Sequence, residues 1–293
     1  VIHKVGLEIG GKVINARKAG HTVIETIGGR KVHPCTSIPG GLTKGITKEQ
    51  QKEILELGNW AVEFGQFTLQ LFSDIVLGNK EYLDLIVGDI YTHKTYYMGM
   101  VDENNHVNFY DGKVRVVGPD GAEFVKYAPE EYTNHIAEHV EPWTYLKFPY
   151  LKDVGWKGFT DGKDSGVYCA TPLAQEHYEK MYETLGGKPV HQRLATHWAR
   201  LIELLYAAER WVELASDPEI TSDNFHTVPT ETPTEGVGIV EAPRGTLTHH
   251  YTTDERGVLT KVNLIVGTTN NYAPISMSIN KAASSLIKKG TVV

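Results

Sequence analysis

A hairpin pattern near the carboxyl end of the chain has a single arginine between its first two predicted strands. Residues 236–240 form a short apolar run, and residues 246–252 are rich in β-forming side chains. A turn sequence at 254–257 and an alternating run at 258–266 follow. Because strands read as short β-rich or alternating runs bounded by turn residues, this segment predicts two strands around a hairpin, followed after the turn by a returning strand.

The arginine, Arg244, occupies the turn between the first two predicted strands, with Pro243 before it and Gly245 after it. A guanidinium is always charged and carries five donors in a planar fork. Proline fixes φ, and glycine leaves room for another group to approach the backbone. We interpret the Arg244 guanidinium as a group that is fixed in position and binds an anion or a polar ligand. The alternative, which composition alone favours, is an arginine paired with a neighbouring carboxylate.

Bulk properties exclude several classes of protein. A chain of 293 residues, with 41% hydrophobic and 22% charged residues, is typical of a globular protein with a substantial core. Its net charge of −7 argues against a nucleic-acid partner. No apolar run approaches the roughly 18 residues that span a membrane, and no signal peptide is recognisable. We expect a cytoplasmic protein without a transmembrane segment.

The two cysteines, Cys35 and Cys169, form no CxxC pair, so their spacing supports neither a zinc site nor an iron–sulfur site. A disulfide between them has no support in the sequence. His135 and His139 are spaced i, i+4 on a helix predicted at 130–140, but no third ligand accompanies them. The residues by themselves therefore predict no metal site.

Hydrophobic periodicity predicts a mainly helical chain. Helices are expected at 1–27, 47–77, 82–85, 172–185, 192–214 and 276–289. The second begins with a capping box at Thr47 and Gln50. A two-residue period at 95–126 predicts a small β-meander with exposed polar faces, and 143–153 reads as a packed loop. The predicted fold class is α+β, mainly α-helical with small antiparallel β-meanders, in a single domain over residues 1–293.

Four segments resemble the large subunit of nickel–iron hydrogenases, and they occur in the family's order. They are the Glu-Ala-Pro-Arg-Gly stretch within 236–251, residues 29–34 followed by 37–41, residues 197–203 and residues 266–271. Residues 143–153 are most similar to the cytoplasmic branches that are F420-non-reducing (methyl-viologen-reducing) or NAD-linked. The resemblance covers most of the chain and implies a nickel–iron hydrogenase large-subunit-like fold.

The resemblance also implies an activity, a cofactor and partners. The family oxidises H2 reversibly to protons and electrons at a nickel–iron centre with CN and CO ligands. The electrons pass to an iron–sulfur small subunit, and from there to further electron-transfer subunits. The family holds its metals with two CxxC pairs, one near each end of the large subunit, and neither pair is in this sequence. We therefore expect the central portion of a large subunit, without cofactor or activity when alone.

Site residues follow from the resemblance position by position. Arg244 is placed over the open face of the metals as the catalytic residue. The residues expected to line the site are Pro243, Leu247, Val266, Gly267, Thr268 and His33. Leu247 would flank the carbonyl ligand, and Thr268 would donate its hydroxyl to a cyanide. Where relatives have proline before this hydroxyl residue, the chain has Gly267. For His33 a surface role remains an equal alternative.

Three further expectations accompany this interpretation. Arg200 and Glu203 are spaced to pair along one helix. A segment that the family has between Cys169 and Ala170 is missing here, either from the lineage or from the sequence. A non-catalytic, hydrogenase-like scaffold subunit of an electron-transport complex is the alternative function. The retained stretch 242–245 and Thr268 favour the enzyme.

Overall fold

Long helices form where the sequence has a helical period, and short strands form where the period falls to two. The computed structural model describes residues 2–170 and 179–290. The chain divides into two compact units, residues 1–74 with 201–232 and residues 75–200 with 233–293. The beginning of the helix predicted at 172–185 lies outside the described residues.

Seven α-helices and eleven strands occur in the described residues. The helices are α1 (Ile2–Gly28), α2 (Lys48–Phe72), α3 (Lys80–Val87), α4 (Tyr132–His135), α5 (Glu179–Leu185), α6 (Ala195–Ser216) and α7 (Tyr272–Leu286). The strands are β1 (Ser37–Ile38), β2 (Gly41–Leu42), β3 (Tyr96–Val101), β4 (Lys113–Val117), β5 (Glu123–Tyr127), β6 (Ile136–Val140), β7 (Lys147–Leu151), β8 (Tyr168–Ala170), β9 (Glu235–Ala242), β10 (Gly245–Thr253) and β11 (Leu259–Ile265). None of the helices in the described ranges combines the length and apolar character that crossing a membrane requires.

The first unit contains α1, the short β1–β2 hairpin, α2 and the part of α6 from Leu201 onward. The predicted capping box of α2 is confirmed, because Thr47 Oγ1 accepts from the Gln50 amide at 3.2 Å and Gln50 Oε1 accepts from the Thr47 amide at 2.9 Å. Helices α2 and α6 pack closely at Gly65, where an added Cβ would lie 3.0 Å from the Leu205 backbone.

The second unit contains a four-stranded sheet in the order β5-β4-β3-β8. Strands β3 and β8 are parallel, and the other pairs are antiparallel. The meander predicted at 95–126 forms, and β4 has the predicted alternation of exposed and buried faces, but the prediction is wrong for β3, which is buried on both faces. Met100 on β3 and Val114 and Val116 on β4 are fully buried. They belong to the main core, because β8 and the β9–β11 sheet supply the apolar surface against which they pack.

The predicted hairpin and returning strand are confirmed, and the three strands form one sheet with β10 in the centre between β9 and β11. Alternate residues face the core. Ile239, Thr246, Thr248 and Ile265 are each less than a tenth exposed. This alternation fixes the register, because a slip by one residue would turn the apolar side chains outward.

Two local predictions are wrong. The helix expected at 130–140 ends at His135, and the following residues form β6, which pairs with β7 where a loop was expected. Strand pairing and the burial of Phe148 override the local helical pattern. His139 therefore lies on a strand, where it stacks on Trp156 with ring centroids 4.5 Å apart and bonds Glu141 at 2.9 Å. His135 and His139 therefore do not lie one turn apart on a helix, as a helical zinc site would require.

Candidate active site

The turn that carries Arg244 is a tight hairpin loop. Ala242 pairs with Gly245 across the two strands, so Pro243 and Arg244 form a two-residue loop. Both residues are exposed in the described part of the chain. The Arg244 guanidinium makes no hydrogen bond or ion pair with any described residue. The carboxylate partner that composition favoured is thus not found within the described ranges.

The approach of two glycines brings this turn to the segment after β11. Gly245 has φ of +147°, and a Cβ built on it would lie 2.1 Å from the carbonyl oxygen of Gly267. Only glycine permits this contact without strain. The space beside Gly245 is therefore taken by the chain's own backbone. As a result Arg244 and Thr268 line one cavity.

That cavity, which we call the arginine cavity, has a volume of about 290 Å³. Several polar or charged residues line it, and α7 supplies much of the apolar wall; the polar ones are Arg193, Thr196, Arg200, Arg244, Thr268, Asn271 and Ser278, with Cys169 beside them. None of the described residues that line it is acidic. Three arginines and no described carboxylate among the lining residues favour an anion or a strong hydrogen-bond acceptor as the occupant of this cavity.

The buried side chain of Asn270 links three segments of the chain next to Thr268. Its Oδ1 accepts from the Tyr168 hydroxyl at 2.6 Å, and its Nδ2 donates to the carbonyls of Thr246 and Gly267 at 2.8 and 3.0 Å. Burial raises the pKa of Tyr168 well above its usual value, so the phenol remains a donor at neutral pH. The buried amide thereby ties β8, β10 and the residues after β11 together.

Asn271 makes a second, separate bridge. Its Nδ2 donates to the carbonyls of Ala170 at 2.9 Å and Arg244 at 2.8 Å, and its Oδ1 accepts from the Ala170 amide at 2.9 Å. Sequence reasoning did not identify either asparagine as a site residue. Two adjacent amides at the junction of a strand and a helix were the available signal, since buried polar side chains require partners.

Arg193 was also missed by sequence reasoning. Its Nη2 donates to Thr95 Oγ1 at 2.5 Å and to the His93 carbonyl at 3.1 Å, and the guanidinium lies 5.6 Å from the centre of the Tyr97 ring. Burial, together with the charge of Arg193, lowers the pKa of His93. Burial raises the pKa of Tyr97 to about 12. Both neighbours are therefore uncharged at neutral pH. His93 adds no second positive charge, and Tyr97 supplies no negative charge that would offset Arg193.

The remaining predicted site residues lie in different places. Pro243 and Gly267 adjoin Arg244 and Thr268, and Val266 is exposed just before them. Leu247 is opposite Val240 in the sheet and lines another cavity.

His33 is exposed in the first unit, with φ of +56°. Arg244 belongs to the second unit. The role expected for His33 beside the metal pocket stays a prediction.

The described residues do not fit the coordination of a metal centre. No group of three or more histidine, cysteine, aspartate or glutamate side chains within them could hold a metal ion. Cys35 is an exposed free thiol and Cys169 a buried one. Soft metals need several thiolate ligands. The described residues instead offer two hydrogen-bond donors that have no acceptor among them, the Arg244 guanidinium and the Thr268 hydroxyl. Both residues line the arginine cavity.

The fold and these residues define a class of protein. Residues 85–289 match the family model of the nickel-dependent hydrogenases, and the chain belongs to that family. The structure agrees with this assignment. It superposes over its whole length on 65% of a chain in the crystal structure of an NAD+-reducing NiFe-hydrogenase in the H2-reduced state, with a TM-score of 0.83 and 28% identity. The resemblance seen in the sequence and the predicted fold class are both confirmed.

Two individual relatives show which members of the family the chain resembles. The chain is 46% identical to an F420-non-reducing hydrogenase iron-sulfur subunit of Archaeoglobus profundus, over 99% of this chain and 62% of that protein. It is 33% identical to the NAD-reducing hydrogenase HoxS subunit beta of Cupriavidus necator, over 94% of this chain and 59% of that protein. The chain thus spans about three fifths of the length of these relatives.

Proposed function

We propose that the chain is the central part of the large, catalytic subunit of a nickel–iron hydrogenase, which oxidises H2 reversibly to protons and electrons. One observation carries the proposal. In a chain of this family, an arginine without a partner among the described residues lies at a hairpin turn and faces the same cavity as Thr268.

The chemistry of H2 explains why such donors are needed. Splitting H2 requires a Lewis-acidic metal, a base for the proton and an exit for electrons, and the nickel–iron centre supplies the metal when it is bound in the full-length parent. We propose that Arg244 and Thr268, which line one cavity, would donate hydrogen bonds to anionic ligands of that centre. A place for Leu247 beside the centre is proposed from the family resemblance alone, because Leu247 lines a different cavity in this structure. Donors that are held in place before the reaction stabilise charge without a cost of reorganisation.

Partners follow from the need for an electron exit. Iron–sulfur clusters are held mainly by cysteine thiolates, and the whole sequence contains two cysteines. From the family resemblance we propose that the direct partner is an iron–sulfur small subunit. We also propose that the complex is cytoplasmic, like the branches of the family that residues 143–153 resemble. A purified full-length large subunit that passed electrons to an acceptor without a second chain would overturn this part of the proposal.

The decisive experiment is Arg244→Lys in the full-length parent enzyme. Lysine keeps the charge but loses the planar fork of donors. We expect H2 oxidation to fall by about 10²–10³, the usual effect of removing one preorganised donor, while metal content and melting temperature stay unchanged. Arg256→Lys is the matched control, because Arg256 is exposed in the turn between β10 and β11 and, among the described residues, its guanidinium pairs only with nearby Asp254.

The outcomes separate the alternatives. Near-normal turnover in a fully metallated Arg244→Lys enzyme contradicts the catalytic role of Arg244. A full-length parent that contains neither nickel nor iron supports the non-catalytic scaffold subunit instead. A loss of stability with unchanged turnover per folded molecule would show that Arg244 serves the fold.

A further inference from the structure

Both backbone carbonyls of the Arg244 turn are held by side chains from elsewhere in the second unit. The Pro243 carbonyl accepts a hydrogen bond from Nη1 of Arg200, and the Arg244 carbonyl accepts one from Nδ2 of Asn271 at 2.8 Å. A two-residue hairpin loop needs neither bond in order to form, because strand pairing alone closes it. The two bonds instead fix how the tip of the hairpin is oriented.

The two donors are themselves anchored. Asn271 is 9% exposed and bonds both the amide and the carbonyl of Ala170, which is fully buried on β8. Arg200 follows Trp198 and Ala199 on α6, and both of these residues are buried. The turn is therefore tied to a buried strand on one side and to a packed helix on the other.

We propose that Asn271 and Arg200 are positioning residues, which fix the turn so that the Arg244 guanidinium points into the arginine cavity. This inference rests on the proposed function, in which Arg244 is catalytic. An arginine side chain is long, so a small rotation of its peptide moves the guanidinium far. Misplacement of a catalytic group by about 1 Å costs up to about 10² in rate.

Variants of Arg200 test the proposal in the full-length parent enzyme. Arg200→Met removes the donor and keeps an unbranched side chain, and Arg200→Lys keeps a donor for the single carbonyl. Asn271→Ala removes the second bond. Arg210→Met is the matched control, because Arg210 lies on the same helix and its Nη1 pairs with Glu213.

The first readout is hydrogen exchange, which does not depend on activity. Loss of a bond from a charged donor should speed amide exchange in a peptide covering 242–247 by about tenfold, because local opening becomes easier. A peptide covering 250–253, at the far end of β10, should not change. Arg200→Lys should restore part of the protection. Unchanged exchange at 242–247 in Arg200→Met overturns the proposal. This result decides the question even if Asn271→Ala fails to fold.

The second readout is a double-mutant cycle on turnover. We expect Arg200→Met to lower H2 oxidation by about tenfold to a hundredfold, and to have almost no further effect in an Arg244→Lys background. Fully additive losses would show that Arg200 acts independently of Arg244, which contradicts positioning. If Arg244→Lys alone leaves turnover intact, the proposed function fails, and hydrogen exchange still decides whether the turn is held.

Discussion

Gly245→Ala probes the contact on which the candidate site depends. Gly245 begins β10 with φ of +147°, and an added Cβ would lie 2.1 Å from the Gly267 carbonyl oxygen and 2.8 Å from its carbonyl carbon. Both atoms belong to backbone, so no side chain can rotate to make room. Either the hairpin or the segment before Thr268 must move.

The magnitude follows from two separate costs. An L-residue in a sparsely populated backbone region costs about 1–3 kcal/mol, and forcing a methyl group into packed structure costs about another 1–3 kcal/mol. We therefore expect Gly245→Ala to lower the free energy of unfolding by about 2–6 kcal/mol. The same movement should separate Arg244 from Thr268, so turnover of the parent enzyme should fall as well.

The assay is urea unfolding of the full-length parent, followed by circular dichroism and by tryptophan fluorescence. Gly238→Ala is the control. Gly238 lies on β9 in the same sheet, and nothing lies within 4 Å of an added Cβ. We expect this control to change stability by less than about 1 kcal/mol. A Gly245→Ala protein as stable as the Gly238→Ala protein would refute the close approach of Gly245 and Gly267.

Three further predictions concern stability, pH and metal. Tyr168→Phe should lower the free energy of unfolding by about 1–3 kcal/mol in urea titrations, because the buried Oδ1 of Asn270 loses its donor; a change below about 0.5 kcal/mol would contradict this. Burial raises the pKa of Tyr97 from 10.0 to about 12, so the folded state favours the protonated phenol. Its contribution to stability is present below pH 10 and is lost as the pH rises to about 12, and Tyr97→Phe should flatten this decline in alkaline unfolding curves. A polypeptide of only these 293 residues should bind no stoichiometric nickel or iron, because no described side chains form a ligand set; metal analysis that finds one nickel per chain would disprove this.

Elements that depend on neighbouring residues were predictable. The capping box at Thr47 and the hairpin around Arg244 are encoded by residues a few positions apart. Side-chain spacing and turn chemistry suffice for such elements. The hairpin segment and residues 266–271 also carried the family resemblance, and they pointed to Arg244 and Thr268, which the structure brings to one cavity.

Elements that depend on distant partners were not predictable. Residues 136–140 carry a weak helical pattern, and they became β6 only because β7 offers a pairing edge. The parallel pairing of β3 with β8 joins strands about 70 residues apart, and no local signal marks it.

The sequence by itself thus determined that an arginine lies at a hairpin turn and that the chain belongs to the nickel-dependent hydrogenase family. Only the tertiary structure decided what holds that turn. Asn271 meets Ala170 across 101 positions of sequence, and Arg200 meets Pro243 across 43. Such contacts form because buried polar groups must find partners among whatever the packed core brings near them. Sequence spacing does not contain that information.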